Sequence, residues 1–288
     1  MDERAAGVGA RALERDSGAS MNIPTSFDVD HLFVSELRLL LGCGIKWFFE
    51  RGSGVEIAED IGGSPRLRGH ALDSAANEHF RKKAEDGVGL SKAQMVELAV
   101  EIHEGGVDTH MFELPEWKSR DRIAKQAALY HTTFGSRFSP RSITDIQCRV
   151  EYADPDLELP VHGVIDLVTD HPMIVDNKVK RRPPTDAQVH ADFQLTTYAM
   201  MTGVHEVALA VITDDDRPQA LFFPSYRNVH QIRMMKVRYN LAARSIKAGA
   251  LNPAQEGTWF CNEKWCQHWS YCPFGGQGSP RIIPGIDD

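Results

Sequence analysis

Between Val161 and Val179 the chain carries two runs of β-branched and apolar residues, each with an aspartate set inside it. The first reads Val161-His162-Gly163-Val164-Ile165-Asp166-Leu167-Val168, and the second Met173-Ile174-Val175-Asp176-Asn177-Lys178-Val179. Runs of this composition and length make buried strands. The Thr169-Asp170-His171-Pro172 break between them is turn chemistry, so the two pair most simply as a hairpin. Period-two alternation then sets Asp176 and Lys178 on one face of the second strand, with Asn177 on the other. A carboxylate pair and a lysine converging on a sheet edge are costly to desolvate unless something compensates them, and a divalent cation is the usual compensation. Carboxylate oxygens suit hard ions such as Mg2+ or Mn2+. Taken singly, either aspartate reads as an ordinary strand-end or turn residue and Lys178 as a solvated cation, so the signal lies in the combination.

The combination extends further along the chain. Gly163 and Asp166 form G-x-x-D, Asp176 and Lys178 form D-x-K, and Gln194 and Tyr198 form Q-x-x-x-Y on a segment with helical patterning. Four residues apart, Gln194 and Tyr198 share a helix face. In this order the three motifs resemble the PD-(D/E)XK nuclease superfamily, specifically the RecB-like branch that includes phage exonucleases and the nucleases of CRISPR adaptation. The resemblance implies an α/β fold: a central mixed sheet flanked by helices, with a helical N-terminal region and a C-terminal cysteine clamp. It implies that Asp166 and Asp176 hold Mg2+ or Mn2+ with the backbone carbonyl of Asn177, that Lys178 is catalytic, and that Gln194 and Tyr198 stand beside the site. It also implies a third ligand from the N-terminal helices, where the family usually carries a histidine four residues after a glycine. At that offset from Gly69 this chain has Asp73, with His70 one residue after the glycine as the fallback. The bland alternative makes both of them exposed polar residues on an amphipathic helix.

Cysteine usage is the second signal. Three of the five cysteines stand in Phe260–Phe274 as Cys261, Cys266 and Cys272, a C-x4-C-x5-C array. A disulfide framework is unexpected in a cytosolic chain of this length, so metal or cluster binding is the natural inference. A distant cysteine can supply the fourth ligand, and Cys43 in Ser35–Phe49 is the best placed. RecB-like nucleases with a 4Fe-4S cluster carry one cysteine near the N-terminus and three near the C-terminus, usually spaced C-x2-C-x5-C, and the resemblance extends to this arrangement. The longer first gap here leaves Zn2+ open, with His268 as a substitute ligand, and free buried thiols after that. Cys148 reads as a small core residue.

With 288 residues, 42% hydrophobic and 25% charged, the composition is that of a globular protein. The apolar runs are too short for a bilayer span, and the N-terminus lacks the apolar core of a signal peptide, so no membrane association is expected. The expected location is the cytoplasm, or the host cytoplasm if the chain is phage-encoded. A net charge of −8 speaks against a general nucleic-acid coat but not against a local basic surface. Lys178, Lys180, Arg181 and Arg182 follow the D-x-K motif directly, and Arg233, Lys236, Arg244 and Lys247 recur at helical spacing. Either group suits DNA phosphates; the second reads equally well as a solvated surface helix.

Residues 1–22 lack an apolar face and read as a disordered extension, with Met21 an alternative start. Residues 23–144 carry helical patterns: one interrupted near Gly42-Cys43-Gly44, others over Arg68–Ala84, from the Ser91 capping box to His103, and over Arg120–Phe134. Residues 145–250 then carry the nuclease core, with strands at Ile146–Tyr152, in the hairpin, at Val207–Ile212 and at Gln219–Phe223, and a helix over Asp186–Met201. Residues 251–288 hold the cysteine segment and tail. The expected activity is a metal-dependent DNA exonuclease working at single- or double-stranded ends in recombination, repair or CRISPR adaptation, with proteins of those pathways as partners. A non-catalytic DNA-end-binding subunit and a PD-(D/E)XK endonuclease are the alternatives.

Overall fold

The computed structural model describes residues 27–51, 64–106, 115–255, 257–263, 265–269 and 272–274. The extension expected over residues 1–22 lies outside them. In chain order the elements are β1 (Leu32–Phe33), α1 (Val34–Gly42), α2 (Gly44–Arg51), α3 (Ser64–Asp86), α4 (Lys92–Gly105), α5 (Glu116–Tyr130), β2 (Ile146–Tyr152), β3 (Val161–Val168), β4 (Ile174–Lys180), α6 (Asp186–His190), α7 (Phe193–Thr202), β5 (Glu206–Thr213), β6 (Ala220–Tyr226) and α8 (Val229–Lys247). They divide into two compact units: one from residues 1–60, 152–162 and 236–288, the other from 61–151 and 163–235.

The second unit is a mixed sheet with helices packed on it. β3 and β4 pair antiparallel through Leu167–Val175 and Val168–Ile174, the hairpin that the apolar runs predict. β4 pairs parallel with β5 along its whole length, from Ile174–Val207 to Lys180–Thr213, and β5 pairs antiparallel with β6. β2 lies against β3. β4 is thus an interior strand, and Asp176 stands within it rather than at the expected sheet edge. The reason is the parallel crossover through α6 and α7, which returns the chain to β4's open side; a hairpin read in isolation cannot show that.

Ala71, Leu72, Ala75, Ala76 and Phe80 of α3, Met95 and Ala99 of α4, and Ile123, Ala127 and Tyr130 of α5 form one core with Leu167, Val175, Ala210 and Ile212 of the sheet. The small residues Ala71, Ala75 and Ala76, at i, i+4 and i+5 on α3, let its backbone lie close to the strands. A buried arginine ties these helices to the end of β5: Arg68 donates to both carboxylate oxygens of Asp214 at 2.8 and 2.7 Å and to Ser119 Oγ at 2.8 Å.

Two predicted helices end differently from expectation. The segment expected as one helix over Asp186–Met201 is two, because Asp192 accepts from the Leu195 amide at 3.0 Å and starts α7 afresh. α5 stops at Tyr130, and a π-helical turn over His131–Gly135 replaces its expected last turn. The Ser91–Gln94 capping box forms as predicted, as does the interruption at Cys43, which is extended between α1 and α2.

In the first unit, β1 pairs parallel with the first two residues of β3. Glu36 is its polar hub: it accepts from the Phe33 amide at 2.7 Å and the Trp47 indole at 3.2 Å, and pairs with Arg51. Gly44 donates to the Asn252 carbonyl at 2.8 Å. A Cβ at residue 44 would meet Leu251 and Asn252 at 3.2 Å, so the glycine permits this close approach. The cationic stripe on α8 faces an acidic loop. Lys236 reaches Asp154 at 2.7 Å and Asp156 at 3.3 Å, Arg244 and Lys247 both reach Glu158, and Asn240 accepts from the Glu158 amide at 2.8 Å. Of the stripe, Lys236, Arg244 and Lys247 are thus paired with residues 154–158, while Arg233 is exposed. No described helix is long and apolar enough to cross a membrane.

Candidate active site

The ladder between β3 and β4 ends at Leu167–Val175, and the site opens where it ends. There the Asn177 amide donates to Asp166 Oδ2 at 2.8 Å, so a carboxylate takes the place of a strand carbonyl. The Asn177 side chain points to the helical layer, as alternation predicts: its Oδ1 accepts from Tyr130 Oη at 2.7 Å and its Nδ2 lies 3.4 Å from Asp73 Oδ1. Asp73 reaches the site from α3. Asn77, one turn on, donates to Asp73 Oδ2 at 3.1 Å. Gln147 of β2 donates to Asp166 Oδ1 at 3.1 Å and to Asp73 Oδ2 at 3.3 Å. Three neutral amides therefore surround two carboxylates. A cavity of about 20 Å³ lined by Gly69, Asp73, Tyr130, Asn177 and Lys178 adjoins them, room for about one water.

Asp176 is treated differently. It is 1% exposed, and Lys178 Nζ stands 2.7 Å from its Oδ2. That approach lacks hydrogen-bond directionality, and among the described residues neither Asp176 oxygen has a hydrogen-bond partner. Burial, opposed by Lys178 and reinforced by the Asp166 charge, pushes the Asp176 carboxyl up. Burial and the Asp73 charge do the same to Asp166, and burial raises Asp73. Burial would lower Lys178, but Asp176 and Asp166 override it and hold the ammonium well above its ordinary value. Three carboxylates raised together, with one lysine ammonium between them, mark a place short of positive charge.

Among the described residues, no three His, Cys, Asp or Glu side chains are already gathered in an arrangement that could hold a metal ion. What the site offers is a donor set. The buried oxygens of Asp176, with Asp166, Asp73 and the Asn177 carbonyl, are hard oxygen ligands that fit Mg2+ or Mn2+.

Of the predicted residues, Asp73, Asp166, Asn177, Asp176 and Lys178 thus come together, while His70 is exposed on α3 and joins none of these hydrogen bonds. Gln194 donates to Tyr198 Oη at 2.9 Å, and Tyr198 donates to the Val164 carbonyl at 2.5 Å. The pair therefore grips the backbone of β3 two residues before Asp166. Lys180 is half-buried, and Arg181, Arg182 and Arg233 are exposed. Three residues of the network escaped the sequence reading: Gln147, Asn77 and Tyr130. Asn77 carried a usable signal, standing four residues after Asp73 on the same helix face; Gln147 and Tyr130 carried none.

In the first unit Cys43, Cys261, Cys266 and Cys272 are all half-buried. Burial pushes the Cys261 thiol up, with Cys43 and Cys266 close enough to add to the effect. His268 is buried and occupied by other contacts, stacked on Phe49 at 5.2 Å with Nε2 3.7 Å from Glu50.

Comparison with known proteins agrees with this geometry. A solved structure of a candidate exonuclease from Eubacterium rectale superposes with a TM-score of 0.50 at 12% identity, over 83% of this chain and 88% of the other; it shares the fold. A second solved structure, SSO0001, aligns over 82% of this chain and 95% of its own at 13% identity, with a TM-score of 0.33, too low to bear on this chain. No curated protein matches in sequence. The model of one family matches residues 31–273, a span that takes in Asp73, the hairpin, Q-x-x-x-Y and all four cysteines. The chain belongs to the PD-(D/E)XK nuclease superfamily.

Proposed function

We propose that this protein is a Mg2+- or Mn2+-dependent deoxyribonuclease that degrades DNA from its ends. One observation carries the reading: Asp176, fully buried, meets one cation, Lys178 at 2.7 Å from Oδ2, its Oδ1 has no hydrogen-bond partner among the described residues, and two further raised carboxylates stand beside it. Evolving such a cluster without a cation would leave an uncompensated desolvation cost. Asp166, Asp176 and the Asn177 carbonyl would hold the ion, and Asp73 would complete the set. A bound divalent ion supplies neutralisation of phosphate charge and acidifies the attacking water. The chain's own groups do the rest. Lys178, held as an ammonium by its carboxylate neighbours, is a donor to that water and to the phosphate, and offsets charge that develops there. Gln194 and Tyr198 fix the β3 backbone and so the position of Asp166. Lys180, Arg181, Arg182 and Arg233 are the cations available to the DNA backbone; Lys236 is occupied by Asp154 and Asp156.

The cysteines belong to the same reading as a thiolate centre, a 4Fe-4S cluster first and Zn2+ second. The proximity of Cys43 and Cys266 to Cys261 supports it, as does their membership of one unit. Its role is structural, joining α2 to the C-terminal segment. Anaerobically purified protein is expected to be brown with broad visible absorption; a colourless protein carrying zinc would replace the cluster with Zn2+.

Three DNA substrates with Mn2+ test the activity: an end-labelled linear duplex, a single strand and a closed circle. Linear substrates are expected to shorten while the circle persists, and Asp176→Ala or Lys178→Ala should lower the rate by about 100-fold or more. Cutting of the circle would make the enzyme an endonuclease, and no cutting of any substrate would leave a DNA-end-binding protein.

A further inference from the structure

Gln147 is the described non-glycine residue with a left-handed backbone, φ 48°. Side chains with a Cβ seldom adopt this conformation, and when they do it is a mark of function. In β2 it turns the Gln147 side chain onto the carboxylate cluster. The amide carries two N–H donors in one plane, and both are used: one to Asp166 Oδ1 at 3.1 Å, the other to Asp73 Oδ2 at 3.3 Å. The reverse orientation would set an amide oxygen against two carboxylates, so chemistry fixes which end faces the site. Asp73 comes from α3 and Asp166 from β3, and no hydrogen bond links them directly. Each is otherwise steadied by Asn177 and, for Asp73, by Asn77, but Gln147 is the side chain that touches both.

We propose that Gln147 is a positioning residue that holds Asp73 and Asp166 together as a preset pair of cation ligands, and thereby brings Asp73 into the site. The proposal rests on the metal-dependent reading above. The bridge offsets repulsion between the two carboxylates before the ion arrives, and it donates to one oxygen of each, so Asp166 and Asp73 present their remaining lone pairs in a set direction. An ion entering such a site has less ordering to impose, which appears as affinity.

The test uses the full-length protein, with DNA present only in the cleavage assay. Free Mn2+ is followed by electron paramagnetic resonance as protein is added, and the unfolding temperature is measured in EDTA. Gln147→Gly removes the amide and accepts the left-handed backbone, so it should still unfold in one cooperative transition in EDTA, with any lowering of its unfolding temperature reporting the carboxylate repulsion that the amide offsets. Its Mn2+ affinity should fall by about 10- to 100-fold, and cleavage should recover toward the wild-type rate at saturating Mn2+. Gln147→Asn also tolerates this backbone but falls one methylene short of the two carboxylates, and should show the same loss. Wild-type Mn2+ affinity in either variant would overturn the proposal and leave the metal-dependent reading standing. Absence of Mn2+ binding by the wild type would overturn both.

Discussion

At the scale of single residues, the site is governed by what each carboxylate is given in place of water. Asp166 and Asp73 receive amides, whereas Asp176 receives only the approach of Lys178. Asp166 is pushed up to about 6 and Asp176 to about 7, from an ordinary 3.8. The sign follows from linkage. A folded-state value above the unfolded one means the protonated form favours folding, with that stability complete below about 3.8 and lost as pH rises through about 6 and 7. Asp176→Asn keeps the neutral shape at all pH values. In EDTA, the unfolding temperature of this variant minus that of wild type should therefore climb as pH is raised from 4 to 8, and a flat difference in calorimetry would show that Asp176 is not held protonated. Mn2+ displaces the same protons, so its affinity for wild type should rise over that interval.

At the scale of elements, what positions the site is buried and polar. Arg68 and Asp214 are 1% and 5% exposed and joined by two hydrogen bonds of 2.8 and 2.7 Å, so α3, which carries Asp73, is pinned to the end of β5. Removing Arg68 takes both short hydrogen bonds from the buried Asp214 carboxylate and leaves it Gln126 at 3.2 Å and Arg122 at 3.7 Å. Arg68→Ala should cost about 3–5 kcal/mol in urea unfolding, whereas replacing both partners by apolar residues of similar volume should cost much less. The α8 clasp is the contrast. Glu158 and its partners Arg244 and Lys247 stand in solvent, where such pairs contribute little, so Glu158→Gln should leave the urea midpoint where it is. The helical spacing of those cations was legible in the sequence. Their acidic partners, some eighty residues earlier, were not, because only tertiary folding sets α8 beside residues 154–158.

At the scale of the molecule, the first unit is assembled from three separate stretches of chain, 1–60, 152–162 and 236–288, whereas the second uses two. A unit built from distant stretches gains its order only when all of them are present. The C-terminal stretch contributes Phe260 against Gly42, His268 stacked on Phe49, and Cys261, Cys266 and Cys272. Truncation after Gln255 should therefore speed hydrogen exchange of the α1 and α2 amides while those of β4 and β5 keep their protection. Equal protection of α1 and α2 in the truncated chain would show that the cysteine segment does not support them.

The hairpin, its two aspartates, the lysine and the four cysteines were determined by the sequence itself, because alternation, turn residues and short-range motifs are local properties that each segment carries with it. Asp73 could be named from its offset to Gly69, since a helix repeats over a few residues. Tertiary structure decided the rest. It placed β4 inside the sheet, set Asp73 beside Asn177 and Gln147 while leaving His70 exposed, and set Gln194 and Tyr198 against the β3 backbone. It also brought Gln147, seventy-four residues from Asp73, onto two carboxylates through a backbone angle that glutamine does not advertise. Contacts between distant segments depend on how whole elements pack, and no local pattern encodes that packing.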